Sequence, residues 1–348
     1  METHHSIVIG DAREMNTVAD EQVHLVVTSP PYPMIDMWDD VFADLNPEVT
    51  ERLEAGAGQD AFEMMHAELD VVWDEVDRVL TPGGIVCVVV GDATRSLDGS
   101  FRVYNNHVRI VQSFIERGFE PLPDILWRKP VNSAAKFMGS GMLPPNAYVT
   151  LEHEFVLVFR KGGVGRSFEP SSKRRYRSAF FWEERNEWFS DLWSDITGAR
   201  QQLYEAELRD RSAAFPLEVP YRLINMYSVY GDTVLDPFWG LGTTTIASMI
   251  AGRNSVGYEI EPGFKTVFDD RVEDIEALSR SVIDQRLESH RRFIQGRIAS
   301  GKPPEHESVH YDFPVMTRQE TKLQFYAVNQ VEALDSGYRV RHVPYGSD

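Results

Sequence analysis

Two short segments carry residue types that could do chemistry. The first is Asp236-Pro237-Phe238-Trp239-Gly240-Leu241-Gly242-Thr243-Thr244. A glycine-bearing turn between a strand and a helix lets the backbone approach a ligand closely and points amides at it. Fifteen residues beyond Thr244, the next apolar run ends at Glu259. An acid at the end of the second strand of a β-α-β unit is placed to accept hydrogen bonds from ribose hydroxyls. No third glycine completes the Gly-x-Gly-x-x-Gly pattern, which speaks against a nicotinamide or flavin pyrophosphate site. The second segment is Thr28-Ser29-Pro30-Pro31-Tyr32-Pro33. Adjacent prolines stiffen the chain and withhold two N–H donors. The Ser29 hydroxyl and the Pro30 carbonyl become fixed acceptors, and Tyr32 sets a flat face beside them. That combination suits a planar base with an exocyclic amine. Taken singly, each segment also reads as a rigid structural turn.

Strands and helices must hold these turns. Ile7–Ile9 and Val23–Thr28 read as strands, the second apolar enough for a buried sheet. A helix opens at Asp60, with Phe62, Met65, Leu69, Val72, Val76 and Val79 at helical spacing, and is expected to stop at Pro82-Gly83-Gly84. Ile85–Val90 is a fully apolar strand containing the single cysteine, Cys87. Further elements are a helix over 108–117, strands over 124–127 and 155–159, a helix over 215–227, a strand over 233–236, a helix over 243–251 and a strand over 255–259. One long helix is expected from Pro262. The alternation of strand and helix argues for an α/β fold with a largely parallel sheet.

Charge is unevenly distributed. The 348 residues carry a net charge of −19, with 42% hydrophobic residues. Residues 36–77 hold fourteen acids and one base, Arg52. Residues 161–185 run the other way, with Lys161, Arg166, Lys173, Arg174, Arg175, Arg177 and Arg185 interleaved by Phe168, Tyr176, Phe180, Phe181 and Trp182. Such an island reads either as a solvated loop or as a nucleic-acid surface, where cations meet phosphates and aromatic faces stack on bases. One cysteine excludes a disulfide framework and a multi-cysteine zinc site. His153-Glu154 lacks a second histidine at 157, so a zinc protease is not indicated and no metal is expected. No apolar run is long enough to span a membrane and the first residues do not form a secretory signal, so a cytoplasmic protein is the expectation.

Together the two segments resemble the S-adenosylmethionine-dependent amino-methyltransferases of DNA, which methylate N4 of cytosine or N6 of adenine. That family carries Asp-Pro-Phe-x-Gly-x-Gly-Thr-Thr and Ser/Asp/Asn-Pro-Pro-Tyr loops, and both stand here almost unaltered. Gly10-Asp11, Leu80-Thr-Pro-Gly-Gly84, Trp127-Arg-Lys-Pro130, Glu152 to Lys161 and Ala214-Phe215-Pro216-Leu217 resemble other family segments. The resemblance covers about residues 6–262. Catalytic loop before cofactor loop is the permuted, beta-type order.

The resemblance implies a Rossmann-like fold: a mixed, mainly parallel seven-stranded sheet with helices on both faces. It implies a catalytic half over 1–161, a target-recognition insertion over 162–212 and a cofactor half over 213–262; beyond it, the chain itself reads as a helical extension with a tail over 263–348. Ser29, Pro30, Pro31 and Tyr32 would be catalytic. The cofactor S-adenosyl-L-methionine would be held by Asp11, Thr28, Phe215, Pro216, Asp236, Pro237, Phe238, Gly240, Gly242, Thr243, Thr244 and Glu259. Lys161, Arg166, Lys173, Arg174, Arg175, Tyr176 and Arg177 would touch nucleic acid. Transfer would be direct to an amine that Ser29 and the Pro30 carbonyl position, with no covalent enzyme intermediate. Tyr32 would stack on the base once it leaves double-stranded DNA. Serine at the head of the loop favours N4 of cytosine, with N6 of adenine and N4 of cytidine in RNA as alternatives. A non-catalytic nucleic-acid-binding subunit is the alternative from another class, disfavoured because both loops are intact. A cognate restriction endonuclease is a natural partner, and monomer or homodimer are both open.

Overall fold

The structure is a computed structural model that describes residues 1–129, 138–196 and 215–346. In chain order the elements used below are β1 (Glu2–Ile9), β2 (Val23–Thr28), α1 (Gly58–Val79), β3 (Leu80–Val90), α2 (Asn106–Glu116), β4 (Phe119–Pro121), β5 (Ile125–Arg128), β6 (His153–Lys161), α3 (Lys173–Arg177), α4 (Trp182–Trp188), β7 (Leu192–Trp193), α5 (Glu218–Tyr227), β8 (Thr233–Asp236), α6 (Thr243–Ala251), β9 (Asn254–Glu259), α7 (Gly263–Val272), α8 (Ile275–Ala299), β10 (Tyr326–Leu334) and β11 (Gly337–Pro344).

β-Branched runs set the sheet. Val86, Cys87, Val88, Val89 and Val90 are all fully buried, and their side chains alternate between two cores. One core lies under α5, α6, α7 and the start of α8. The other lies under α1 and α2. Each such side chain contributes roughly 1.5–3 kcal/mol of burial. The sheet runs β7-β5-β6-β3-β2-β8-β9-β1-β11-β10, with β4 also on β6. β3, β2, β8, β9 and β1 are parallel, and β6 is antiparallel to its neighbours. The seven strands from β5 to β1 are the expected α/β core. The sheet extends to eleven because β7 and β4 pair with β5 and β6 and a C-terminal hairpin pairs with β1, Glu2 facing Arg341. The tail after the helices therefore closes a sheet edge that would otherwise be open.

Several boundaries differ from the sequence reading, two of them in ways that matter for the fold. α1 ends at Val79, because Leu80 turns extended and pairs with Val23 of β2. Pro82-Gly83-Gly84 is thus inside β3, where the ladder shifts register. Gly83 has φ +74°, and a Cβ there would lie 2.7 Å from the Arg166 amide nitrogen, so only glycine lets the loop after β6 cross this strand. The single helix expected from Pro262 is two, α7 and α8.

Register defines two edges. The carboxyl ends of β1, β2, β3, β8 and β9 share one edge, and the start of β6 joins them, with Phe155 opposite Val90. The end of β6, the start of β2 and Asp232 before β8 lie at the other.

Candidate active site

A cleft opens at the carboxyl edge, with about 900 Å³ of empty space, part of it open to solvent. Ser29 and Pro31 line it from the turn after β2. Pro237, Phe238 and Gly240 line it from the turn after β8. Asp11 comes from the end of β1 and Glu259 from the end of β9. Segments more than 200 residues apart thus meet where ligands bind in open α/β sheets.

Beneath the cleft, β2 and β8 pair through Val26 and Leu235, which sets Thr28 beside Asp236. The Thr28 hydroxyl donates to Asp236 Oδ1 at 2.7 Å, and the Phe238 amide donates to the same oxygen at 3.2 Å. Burial pushes the Asp236 carboxyl up to about 6, the hydrogen bonds offsetting only part of that cost.

Glu259 holds the glycine turn. Its Oε2 accepts the Gly240 amide at 2.7 Å and its Oε1 accepts the Glu261 amide at 2.8 Å. Burial raises its carboxyl above the ordinary value, against those two bonds. At Gly240 (φ +51°) a Cβ would meet only the Phe238 carbonyl, at 4.0 Å, so the turn is open towards the cleft. Gly242 behaves differently: a Cβ there would fall 2.4 Å from Phe268 and 2.7 Å from Trp239. Gly242 is a packing glycine in the left-handed region that starts α6, and it does not line the cleft.

Asp11 has a partner that the sequence reading missed. Arg13 donates to Asp11 Oδ2 through Nε at 2.9 Å and Nη2 at 2.7 Å, and to Glu68 of α1 at 2.7 Å. Burial pushes Asp11 up, but the Arg13 hydrogen bonds and charge outweigh it, and the carboxyl sits below its ordinary value. The acid–x–base spacing of Asp11 and Arg13 was the available signal.

On the far side of the turn after β2, the Ser29 and Tyr32 hydroxyls are 3.1 Å apart. The Tyr32 ring packs on Gly91, where a Cβ would come within 3.3 Å of it. Burial raises the Tyr32 phenol well above its ordinary value, and the Glu154 charge adds to that. Pro30 is buried beneath the turn.

The remaining expected cofactor residues stand behind this surface. Thr243 and Thr244 are buried at the start of α6, the Thr244 hydroxyl donating to the Val27 carbonyl at 3.3 Å. Phe215 belongs to the core before α5, with Pro216 buried next to it. None of these four lines the cleft. Cys87 is buried in the core, where burial raises its thiol, as its apolar neighbours led one to expect. Pro130, Ala214 and residues 197–212 of the expected insertion lie outside the described residues.

The basic island lies at the opposite sheet edge from the cleft, and most of its cations have partners within the protein. Arg166 and Arg174 both bind the buried Asp232, at 2.7 and 2.5 Å, on the opposite sheet edge. Lys161 pairs with Asp77 at 3.1 Å, and Arg177 donates to the Tyr326 hydroxyl at 3.1 Å. Arg175 lies over Phe168, and Tyr176 lies under Lys322. Lys173, on α3, is exposed. The aromatics are spent too: Phe181 is buried and stacks on His290 of α8 at 3.8 Å, and Trp182 stacks on Phe293. Arg286 of α8 grips Glu184 of α4 at 2.6 Å. This segment straps the C-terminal extension to the sheet.

Comparison with known proteins agrees with this architecture. The N6/N4 DNA methylase family model matches residues 23–270. A Type II methyltransferase of Methanothermobacter thermautotrophicus, M.MthZI, is 50% identical over 94% of this chain and 91% of its own. M.MjaI of Methanocaldococcus jannaschii is 49% identical over 78% of this chain and 91% of its own. A protein of Thermus thermophilus assigned as a DNA modification methylase, solved with S-adenosyl-L-methionine, is 32% identical with a TM-score of 0.61 over 78% of this chain and 94% of that one. PvuII DNA methyltransferase (cytosine-N4-specific) shares the fold, with a TM-score of 0.50 at 18% identity over 81% of this chain and 94% of that one. The fold and cleft are those of a DNA amino-methyltransferase. The chain belongs to the N6/N4 DNA methylase family, the beta-class S-adenosylmethionine-dependent enzymes.

Among the described residues, no helix is long and apolar enough to cross a membrane, and no cluster of His, Cys, Asp or Glu could hold a metal ion.

Proposed function

We propose that this chain methylates the exocyclic amine of a base extruded from DNA, with N4 of cytosine as the target, as the modification arm of a restriction system. The observation that carries the reading is the meeting of the Ser29 turn and the Gly240–Glu259 turn in one cleft, joined beneath by Thr28 and Asp236.

S-adenosylmethionine supplies an electrophilic sulfonium methyl. The cleft fits such a group: Pro237, Phe238, Leu69, Val72 and Phe264 give apolar walls for a purine, and Asp11, Glu259 and the open Gly240 turn supply polar partners. Glu259 would hold the ribose, Phe238 would pack on the adenine, and Asp11 and Asp236 would stand near the methionine end.

The protein's part in the transfer is positioning. Ser29 Oγ and the Pro30 carbonyl would accept the two amine hydrogens, localising the nitrogen lone pair and aiming it at the methyl. Tyr32 would offer its ring to the base. Arrival of DNA at the carboxyl edge is supported by Arg128, exposed at the end of β5, and by Met142, Leu143, Tyr148 and Val149, exposed among the described residues before β6. Serine rather than aspartate at 29 supports cytosine over adenine.

Incubation with methyl-labelled cofactor and duplex DNA, followed by nucleoside mass analysis, tests the reading. N4-methylcytosine is expected. N6-methyladenine would move the target base. No label in either nucleoside, with cofactor bound, would leave a non-catalytic subunit.

A further inference from the structure

Ser29 does not stand alone at the reacting edge. Its hydroxyl is 3.1 Å from that of Tyr32. The Tyr32 ring lies against Gly91, directly after β3. From the neighbouring strand β6, Glu154 reaches the same place: a Cβ built on Gly91 would sit 3.3 Å from Tyr32 Cε2 and 3.4 Å from Glu154 Cγ. The absent side chain at 91 leaves room for the Tyr32 ring and the Glu154 side chain on the same glycine. Glu154 Oε1 also accepts from Lys129 Nζ at 2.6 Å. The Glu154 side chain is 13% exposed and that of Lys129 39%, so the pair opens to solvent on the lysine side.

A carboxylate can only accept, so in a hydrogen bond between the two the Tyr32 hydroxyl is the donor. Its oxygen is then left to accept from Ser29. The opposed effects of the two neighbours on the Tyr32 phenol agree with this polarity: Glu154 raises it and Ser29 lowers it. With its own proton committed to Tyr32, Ser29 Oγ presents lone pairs to the cleft it lines.

We propose that Glu154, acting through the Tyr32 hydroxyl, fixes Ser29 as an acceptor for the target amine and receives the proton that the amine sheds on methylation. The inference rests on the transfer reading above and adds a route for that proton. The methyl carbon–sulfur bond breaks as the carbon–nitrogen bond forms, and the sulfur keeps the bonding pair. The methylated nitrogen, now cationic, gives a proton to Ser29 Oγ. The Ser29 proton passes to Tyr32, and the Tyr32 proton passes to the Glu154 carboxylate. A loop headed by serine has no carboxylate of its own, and β6 supplies one. Glu154 is a positioning residue, since its contacts are to Tyr32 and Lys129 and not to substrate.

The test compares Glu154→Gln, Glu154→Asp, Tyr32→Phe and the double variant Glu154→Gln/Tyr32→Phe in single-turnover transfer, with cofactor affinity measured by calorimetry. Tyr32→Phe keeps the ring and removes only the relay. Cofactor Kd and DNA KM should stay within twofold in all four. Transfer should fall at least tenfold in Glu154→Gln and in Tyr32→Phe, recover in part in Glu154→Asp, and fall no further in the double variant. Losses that multiply in the double variant would overturn the relay. So would a Glu154→Gln rate within twofold of wild type, or loss of cofactor binding in both Glu154 variants. Failure of the wild-type protein to transfer methyl in the same assay would instead count against the function itself.

Discussion

Thr28 and Asp236, 208 residues apart in sequence, share a 2.7 Å hydrogen bond beneath the floor of the cleft. It joins β2, which launches the Ser29 turn, to β8, which launches the Gly240 turn. The bond runs to a buried carboxylate, which gives it a pH signature. Asp236 has a folded-state pKa of about 6 against an ordinary value of 3.8. The fold therefore holds this proton more tightly than the unfolded chain does. Its contribution is fully present below 3.8 and is lost as pH rises through about 6. The span corresponds to on the order of 3 kcal/mol. Asp236→Asn should flatten this component. Chemical denaturation of both proteins from about pH 3 to 8, a window that brackets the two values, should show the wild type losing ground to the variant as pH rises. Parallel curves would refute the assignment.

Glu259 offers a sharper test of the cofactor turn. Both its oxygens accept backbone amides, from Gly240 and Glu261. Glutamine places an N–H₂ where one acceptor stood, so one of those amides loses its partner. Glu259→Gln should weaken S-adenosylmethionine at least tenfold by calorimetry, about 1.4 kcal/mol. Unchanged affinity would remove Glu259 from the site.

The two glycines of the turn should separate by experiment. Gly242→Ala meets Phe268 and Trp239 at distances no Cβ tolerates, and sits at φ +69°. It should lower the melting temperature by several degrees, since the left-handed backbone alone costs roughly 1–2 kcal/mol and the collision adds to it. Gly240→Ala meets almost nothing and places a methyl at the cleft wall. It should cost less stability and more cofactor affinity. The reverse ranking would mean that the turn faces the other way.

What could be read from sequence was local. Strand, glycine turn, helix, strand and acid occupy residues 233–259 in order, and each sits where its neighbours in sequence put it. The pairing of Arg166 and Arg174 with Asp232, by contrast, spans some sixty residues. A buried carboxylate cannot be recognised in sequence, so its cations look like a free basic patch. Phe181 looks like a stacking plate until α8 brings His290 to it. The hairpin of β10 and β11 escaped because its partner is the first strand of the chain. Glu154 and Tyr32 meet only because β6 runs antiparallel beside β3.

The island gives the last prediction. Asp232 is fully buried, and burial raises its carboxyl while Arg166, the Val229 amide and His24 together outweigh this, leaving it below its ordinary value. The stability it contributes is present above about pH 3.8 and is lost as pH falls through the folded value. Removing Arg166 leaves Arg174 and the Val229 amide on this buried charge, so the cost should fall below the roughly 3–5 kcal/mol of a buried charge left unpaired. Exposed Lys173 should be replaceable by alanine within about 0.5 kcal/mol. If Arg166 touched phosphate, Arg166→Ala would lower the salt slope of DNA binding by about one charge. An internal strut predicts otherwise: Arg166→Ala should melt earlier, yet its folded fraction, measured well below the transition, should bind DNA with an unaltered slope. A changed slope at unchanged stability would return the island to the nucleic-acid surface.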